Sequence, residues 1–231
     1  MKKLKLDISA PAYAPPQARV EENMSPALRA ARDFVATWMK GPHISFSGHA
    51  APAMAARITA SLELIATTSI GMELLAALES VALLKNERVT IIPDSHSLGV
   101  VPVVSANASN AVGTSSELFC NLDAAAVTRG NLDTLQFDSC VLFHELVHVY
   151  HNFLGEQTVV VPSEGVDASH NLLYEEARTV GLGRFRDELL SENAFRTELG
   201  IERRVRYAHE NAIIEDDDTV LKGFSKEYLF P

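Results

Sequence analysis

Cysteine is scarce in this 231-residue chain, with two residues, Cys120 and Cys140. So few exclude the disulfide framework that staples small extracellular domains, and the pair reads as two buried thiols from a reducing compartment. A surplus of positive charge is missing too. Lys plus Arg total 20 against 30 Asp plus Glu, a formal net charge of −10. Phosphate backbones repel such a chain, which argues against a nucleic-acid partner. No long apolar run is present. The longest stretch free of Asp, Glu, Lys and Arg, Ser95 to Ser116, is rich in Ser and Asn and contains His96, so it does not read as a membrane span. The start, MKKLKLDISAPAYAPP, has the charge of a secretory signal but no apolar block of ~7–15 residues behind it. Asp7, Pro11, Pro15, Pro16 and Pro26 interrupt it, so a cleavable signal is not expected. Internal repeats and long linkers are also lacking, which favours one domain.

What is present is an ordinary globular balance, 47% hydrophobic and 22% charged. Residues 1–24 are Pro- and Ala-rich without periodicity and are expected to form a flexible leader. Residues 25–212 are expected to form the folded domain. From Ile213 onward Glu215, Asp216, Asp217 and Asp218 stand in a row, and 213–231 reads as a solvated acidic segment. Ser25-Pro26 predicts a helix start, with Leu28, Ala31, Phe34, Val35 and Met39 on one face. A second helical region is predicted from about Ala55 to Glu79, split near Thr67-Thr68-Ser69 and Gly71. The middle changes character. RVTIIP (88–93), GVVPVVSA (99–106) and SSELFCNL (115–122) read as strands, and Pro102 places the second at a sheet edge or a bulge. Helices return over about 139–153 and 171–182, with shorter ones near 184–199. The order implies an α+β domain.

The segment CVLFHELVHVYHN holds His144-Glu145-Leu146-Val147-His148. On a helix, positions four apart share a face, so both imidazoles can reach one metal ion. Glu145 lies beside that face and can act as general base toward a metal-activated water. Val141, Leu142, Leu146, Val147 and Val149 make the helix strongly apolar, and polar groups set into such a helix need partners. His151 stands one turn further on, as a donor to a ligand or as a polar helix end.

A catalytic zinc needs a third protein ligand. The pattern with a glycine and a third histidine after the first two fails, because His151 and Leu154 occupy those positions. Glu175 and Glu176, in YEEARTVGLG, are the candidates. Glu176 shares a face with Leu173, Ala177 and Val180; Glu175 shares one with Leu172 and Thr179, which is more mixed. An inward carboxylate wants a cation, so Glu176 is the expected ligand and Glu175 the residue that holds a ligand or the adjacent helix. His170 is a weaker candidate.

HELVHVYHNFLG followed by YEEARTVGLG resembles the light-chain zinc proteases of clostridial neurotoxins, whose second glutamate in the matching segment binds zinc. That chain is about twice as long. The closer resemblance is to the NleD-like family of type III secreted effector peptidases, carried by the HELVH helix, the EEARTVG segment and SENAFRTELGIERRVRY, over about residues 60–210. The resemblance implies a zincin-like α+β metalloprotease domain, a small mixed sheet packed on the His-bearing helix and a following Glu-bearing helix. It implies one Zn2+ per chain on His144, His148 and Glu176, with Glu145 as base. Arg178 becomes a structural partner, and Arg204 and Tyr207 stabilise the developing oxyanion. It also implies passage through a type III secretion machinery into the host cytoplasm and cleavage of host signalling proteins, MAP kinases being the substrate class. A substrate strand is expected to pair with the sheet edge near residues 99–122. The alternatives are a non-exported zinc peptidase and a catalytically silent effector that works by binding a host protein.

Overall fold

The computed structural model describes residues 24–47, 52–93, 96–123, 132–158, 168–209, 212–216 and 220–222. Nearly all of the expected leader and much of the acidic tail lie outside them. Helix α1 (Pro26–Trp38) starts as its sequence demands: Ser25 Oγ accepts the Leu28 N–H at 3.2 Å and Pro26 sits at the first helical position. Its buried residues are Ala31, Val35 and Trp38. Trp38 belongs to this face although the predicted set omitted it, and its indole N–H donates to Leu75 O at 3.2 Å.

The second helical region is two helices, α2 (Pro52–Ile65) and α3 (Ser69–Lys85), bent by 110°. Thr68 Oγ1 caps α3 by accepting the Gly71 N–H at 3.0 Å. A Cβ on Gly71 would stand 2.0 Å from Ile65 O, so only glycine permits this bend. Among the described residues, no single helix is long and apolar enough to cross a membrane.

The first sheet is mixed. Strands β1 (Ile44–Phe46), β2 (Val89–Ile92), β3 (Leu98–Pro102) and β4 (Ser116–Cys120) run in the order β1-β2-β4-β3, with β3 antiparallel and the other pairs parallel. The sequence reading did not foresee β1. It also ran β3 to residue 106, where the chain instead turns into a short 3-10 helix at Ser105–Asn107. Val103 N–H donates to Ser115 O and Asn121 N–H to Ser97 O. By alternation, the main-chain groups of Leu98, Val100 and Pro102 face away from β4, along the open edge. Proline, which has no N–H to give, is tolerated there.

Helix α4 (Thr134–Leu154) runs through the centre and packs on α2, α3, β3 and β4. Asp133 Oδ1 caps it by accepting the Gln136 N–H at 2.9 Å, so it begins five residues before the predicted start at 139. Gly155, at φ 74°, ends it; a Cβ there would meet the Gly113 nitrogen at 2.6 Å. From Phe137 to Phe153 only Val141 and Tyr150 escape full burial. Lys85 Nζ donates to Leu154 O at 2.8 Å, a cation at the negative end of this helix.

The C-terminal part is built from α5 (Ala168–Val180), a 3-10 turn at Gly183–Phe185, α6 (Glu192–Glu198), and a second sheet of β5 (Arg206–His209), β6 (Ala212–Glu215) and β7 (Val220–Lys222), all antiparallel. This corrects the domain boundary expected at 212, which falls inside β6. The chain from Ile213 is not a solvated tail where it is described. Ile214 is 0% exposed and packs with Leu173, Ala177, Val180 and Leu182. Asp216 N–H donates to Val205 O, and its carboxylate accepts from Gly183 N–H at 3.2 Å and Arg186 Nη2 at 2.6 Å. The acidic run hid a buried strand because its one large apolar pair, Ile213-Ile214, is short.

Candidate metal centre

His144 and His148 lie one turn apart on the buried face of α4, and α5 brings Glu176 against them. His144 Nε2 is 2.9 Å and His148 Nε2 3.3 Å from Glu176 Oε2, and the two Nε2 atoms are 3.1 Å apart. The outer nitrogens are each occupied by a carboxylate. His144 Nδ1 is 3.1 Å from Glu192 Oε2, and His148 Nδ1 is 3.1 Å from Glu175 Oε1. A carboxylate accepts only, so each Nδ1 carries a hydrogen and each neutral ring turns a lone pair inward at Nε2. Three acceptors that face one another across about 3 Å fit a cation; ligand atoms about 2.0–2.1 Å from a tetrahedral ion stand about 3.3–3.4 Å apart. His144, His148 and Glu176 are thus a buried group that can hold a metal ion.

With protons in place of the cation, the same arrangement splits the titrations. Burial alone opposes charge on the imidazoles, but the Glu176 and Glu192 carboxylates push His144 up to about 9. The Glu175 and Glu176 carboxylates likewise raise His148 well above its usual range against its burial. Glu176 is buried, yet the two imidazoles hold it below the usual carboxylate range. Glu145 behaves differently. Burial raises it above the usual range, and the positive histidines only partly oppose that. A carboxylate inclined to take a proton therefore sits beside the three donors.

Glu175 is as deep as Glu176. It is 2% exposed against 8%, although its face is the more mixed one, with Leu172 39% exposed and Thr179 buried. Glu175 Oε1 accepts from His151 Nδ1 at 2.7 Å as well as from His148, and Oε2 accepts the Thr158 N–H at 2.6 Å. The segment after α4 thus covers the second face of α5, which no wheel drawn on α5 alone contains. His148, His151 and Glu175 form a second close group, which Thr179 Oγ1 joins at 3.3 Å from His148 Nδ1.

Arg178, expected as a structural partner of the site, turns elsewhere. It donates to Glu156 O at 2.7 Å and pairs with Glu156 and Glu188. The side chain of His170 lies outside the described ones. Tyr207 stacks over His144, ring centroids 6.0 Å apart and 5° from parallel, and Arg204 lies over the Tyr207 ring at 5.0 Å. Burial and the Glu176 charge keep Tyr207 protonated well above its usual range.

The sequence reading missed Glu192. It follows the α6 cap Ser191 and so looks like an ordinary acidic residue in a first helical turn. Its one available signal was its position in the SENAFRTELGIERRVRY segment that also carries Arg204 and Tyr207.

A family model named Peptidase_M91 and described as an effector protein matches residues 43–207. The chain belongs to this family. No curated protein matches it. Peptidase_M91 is the NleD-like family that the three motifs resemble, and its match spans β1 to Tyr207, both histidines and the two adjacent glutamates included. Membership makes the protein an effector of a peptidase family, with a host protein as its implied target.

Proposed function

We propose that this protein is a zinc-dependent endopeptidase, delivered by a type III system into the host cytoplasm, that cleaves host signalling proteins, with MAP kinases as the substrate class. The observation that carries this reading is the convergence of His144 Nε2, His148 Nε2 and Glu176 Oε2, each imidazole held from behind by its own carboxylate. The donor set of two imidazoles and one carboxylate suits zinc. Zinc, when bound, supplies Lewis acidity and lowers the pKa of a water at an open position.

The residues of the chain do the rest. Glu175 and Glu192 fix the ring orientation and tautomer of His148 and His144. Glu145, buried and biased toward its protonated form, takes the proton of the attacking water and hands it to the leaving nitrogen. Arg204 and Tyr207 offer donors to the carbonyl oxygen as it gains charge. The substrate lies extended along β3, where the outward main-chain groups of Leu98 and Val100 extend the ladder.

Metal content by mass spectrometry tests the reading, on wild type beside His144→Ala. About one zinc per chain in the wild type and none in the variant supports it. No metal in either after zinc reloading overturns it. Incubation of purified MAP kinases with wild type and with Glu145→Ala then tests the chemistry: the variant keeps zinc and fold and does not cut. Cleavage by Glu145→Ala would remove Glu145 as the base. A cellular effect that survives in this variant would favour an effector that acts by binding.

A further inference from the structure

The geometry points to Glu192 and Asn193, neighbours in the first turn of α6, as positioning residues that fix Arg204 at both ends and tie it to His144. Asn193 holds the main chain. Its Oδ1 accepts the Arg204 N–H at 2.7 Å and its Nδ2 donates to Arg204 O at 2.8 Å. Glu192 holds the head. Its Oε2 accepts from Arg204 Nη1 at 2.9 Å, and the same oxygen takes His144 Nδ1 at 3.1 Å. The other oxygen, Oε1, is occupied by Arg196 Nε at 3.0 Å.

A glutamate that only complements a helix dipole has no reason to be buried. Glu192 is 3% exposed and Asn193 1%. A buried carboxylate is costly unless paired, and this one meets two guanidinium groups and an imidazole. The asparagine acts as a miniature strand partner, satisfying both main-chain groups of one residue. Its Nδ2 also lies 3.3 Å from Gly181 O, just beyond the helix that carries Glu176. A Cβ on Gly181 would meet Ser191 Oγ at 2.7 Å, so the two segments touch here. Arg196 Nη1 adds a bond to Glu202 O at 3.2 Å, steadying the chain just before Arg204.

An arginine side chain is long and rich in rotamers, and a donor helps a developing charge only if it is already in place. Fixing the main chain sets where the side chain starts, and fixing one guanidinium nitrogen sets where it ends. The guanidinium then lies over the Tyr207 ring, which itself stacks on His144. The carboxylate that orients a ligand ring therefore also orients the arginine, so displacing one disturbs the other. This rests on the peptidase reading for what Arg204 faces, but the placement itself does not.

The test uses the full chain labelled with 15N, with the Arg204 Nε–H resonance identified by its loss in Arg204→Lys. Glu192→Gln keeps the shape and removes the charge. It is expected to lower zinc affinity about tenfold in chelator competition and to shift or broaden the Arg204 signal. Asn193→Ala is expected to move the Arg204 signal while zinc affinity stays within about twofold of wild type, because it touches no ligand ring. Far-UV circular dichroism checks that both fold, and Asn193→Ala carries the test if Glu192→Gln does not. An Arg204 signal unmoved by either substitution overturns the assignment, as does an unchanged zinc affinity in folded Glu192→Gln. If the wild type binds no zinc, the peptidase reading falls while the Arg204 signal still decides the positioning role.

Discussion

The two regions that meet at the histidines are held by different forces. On one side α1–α4 and the first sheet share a continuous apolar core, with Leu62, Leu74, Leu75, Leu118, Leu142 and Leu146 among its fully buried members. On the other side, α5, α6 and the second sheet bury a small apolar group of Leu173, Ala177, Val180, Leu182 and Ile214. Apart from Gly181 and Phe195, their remaining buried residues are polar: Glu175, Glu176, Thr179, Ser191, Glu192 and Asn193. Phe143 stacked on Phe195, centroids 4.5 Å apart, joins the two. Apolar burial is non-directional and gives stability. Buried charges are weak evidence for stability but impose geometry. The first region should therefore set how strongly the chain folds, and the second how the site is shaped.

Substitutions can break that contrast. The largest expected effect is on the metal. Glu176→Ala should lose bound metal entirely, and full retention would move the third ligand elsewhere. Next comes Leu118→Ala in the apolar region, which should cost about 2–5 kcal/mol in urea unfolding while the folded fraction keeps its metal affinity. Equal stability losses in Leu118→Ala and in metal-free Glu176→Ala would erase the distinction. A smaller effect follows pH. Against the burial that opposes its charge, Arg204 and the His144 hydrogen bond hold Glu192 down to about 2, below its ordinary 4.5. A depressed carboxylate stabilises the fold fully above 4.5, and that contribution is lost as pH falls through about 2. The metal-free wild type should thus lose more stability between pH 5 and pH 3 than Glu192→Gln; equal losses would detach Glu192 from these partners. The smallest effect is expected at Arg178. Its partners Glu156 and Glu188 are well exposed, so Arg178→Ala should cost about 1 kcal/mol or less and leave metal binding unchanged.

Much of the first region was legible because periodicity reports apolar burial directly. The cap at Ser25, the break near Thr68, the three strand segments around Val89, Val100 and Leu118, and the spacing of His144 and His148 on one helix face all follow from spacing and side-chain chemistry within a few residues. The second region resisted the same reading. Glu175 stands on the more mixed face of its helix, and the Thr158 N–H that its Oε2 accepts comes from another part of the chain. Glu192 looked like a helix-dipole residue. Arg178, which the resemblance makes a structural partner of the site, instead reaches Glu156 and Glu188. The acidic run at 215–218 hid Ile214, a buried member of a sheet whose other strands have little periodicity of their own.

The sequence by itself determined the chemistry available: two imidazoles one turn apart, a carboxylate between them, two adjacent glutamates on a later helix, and an Arg and a Tyr three residues apart. The histidine and glutamate features depend on helix geometry, which is local and the same everywhere, and the Arg-Tyr spacing is legible as a motif. Only the tertiary structure decided which carboxylate faces which nitrogen. That depends on how α5 and α6 lie against α4, a matter of contacts between residues up to 48 positions apart, and no local rule encodes them.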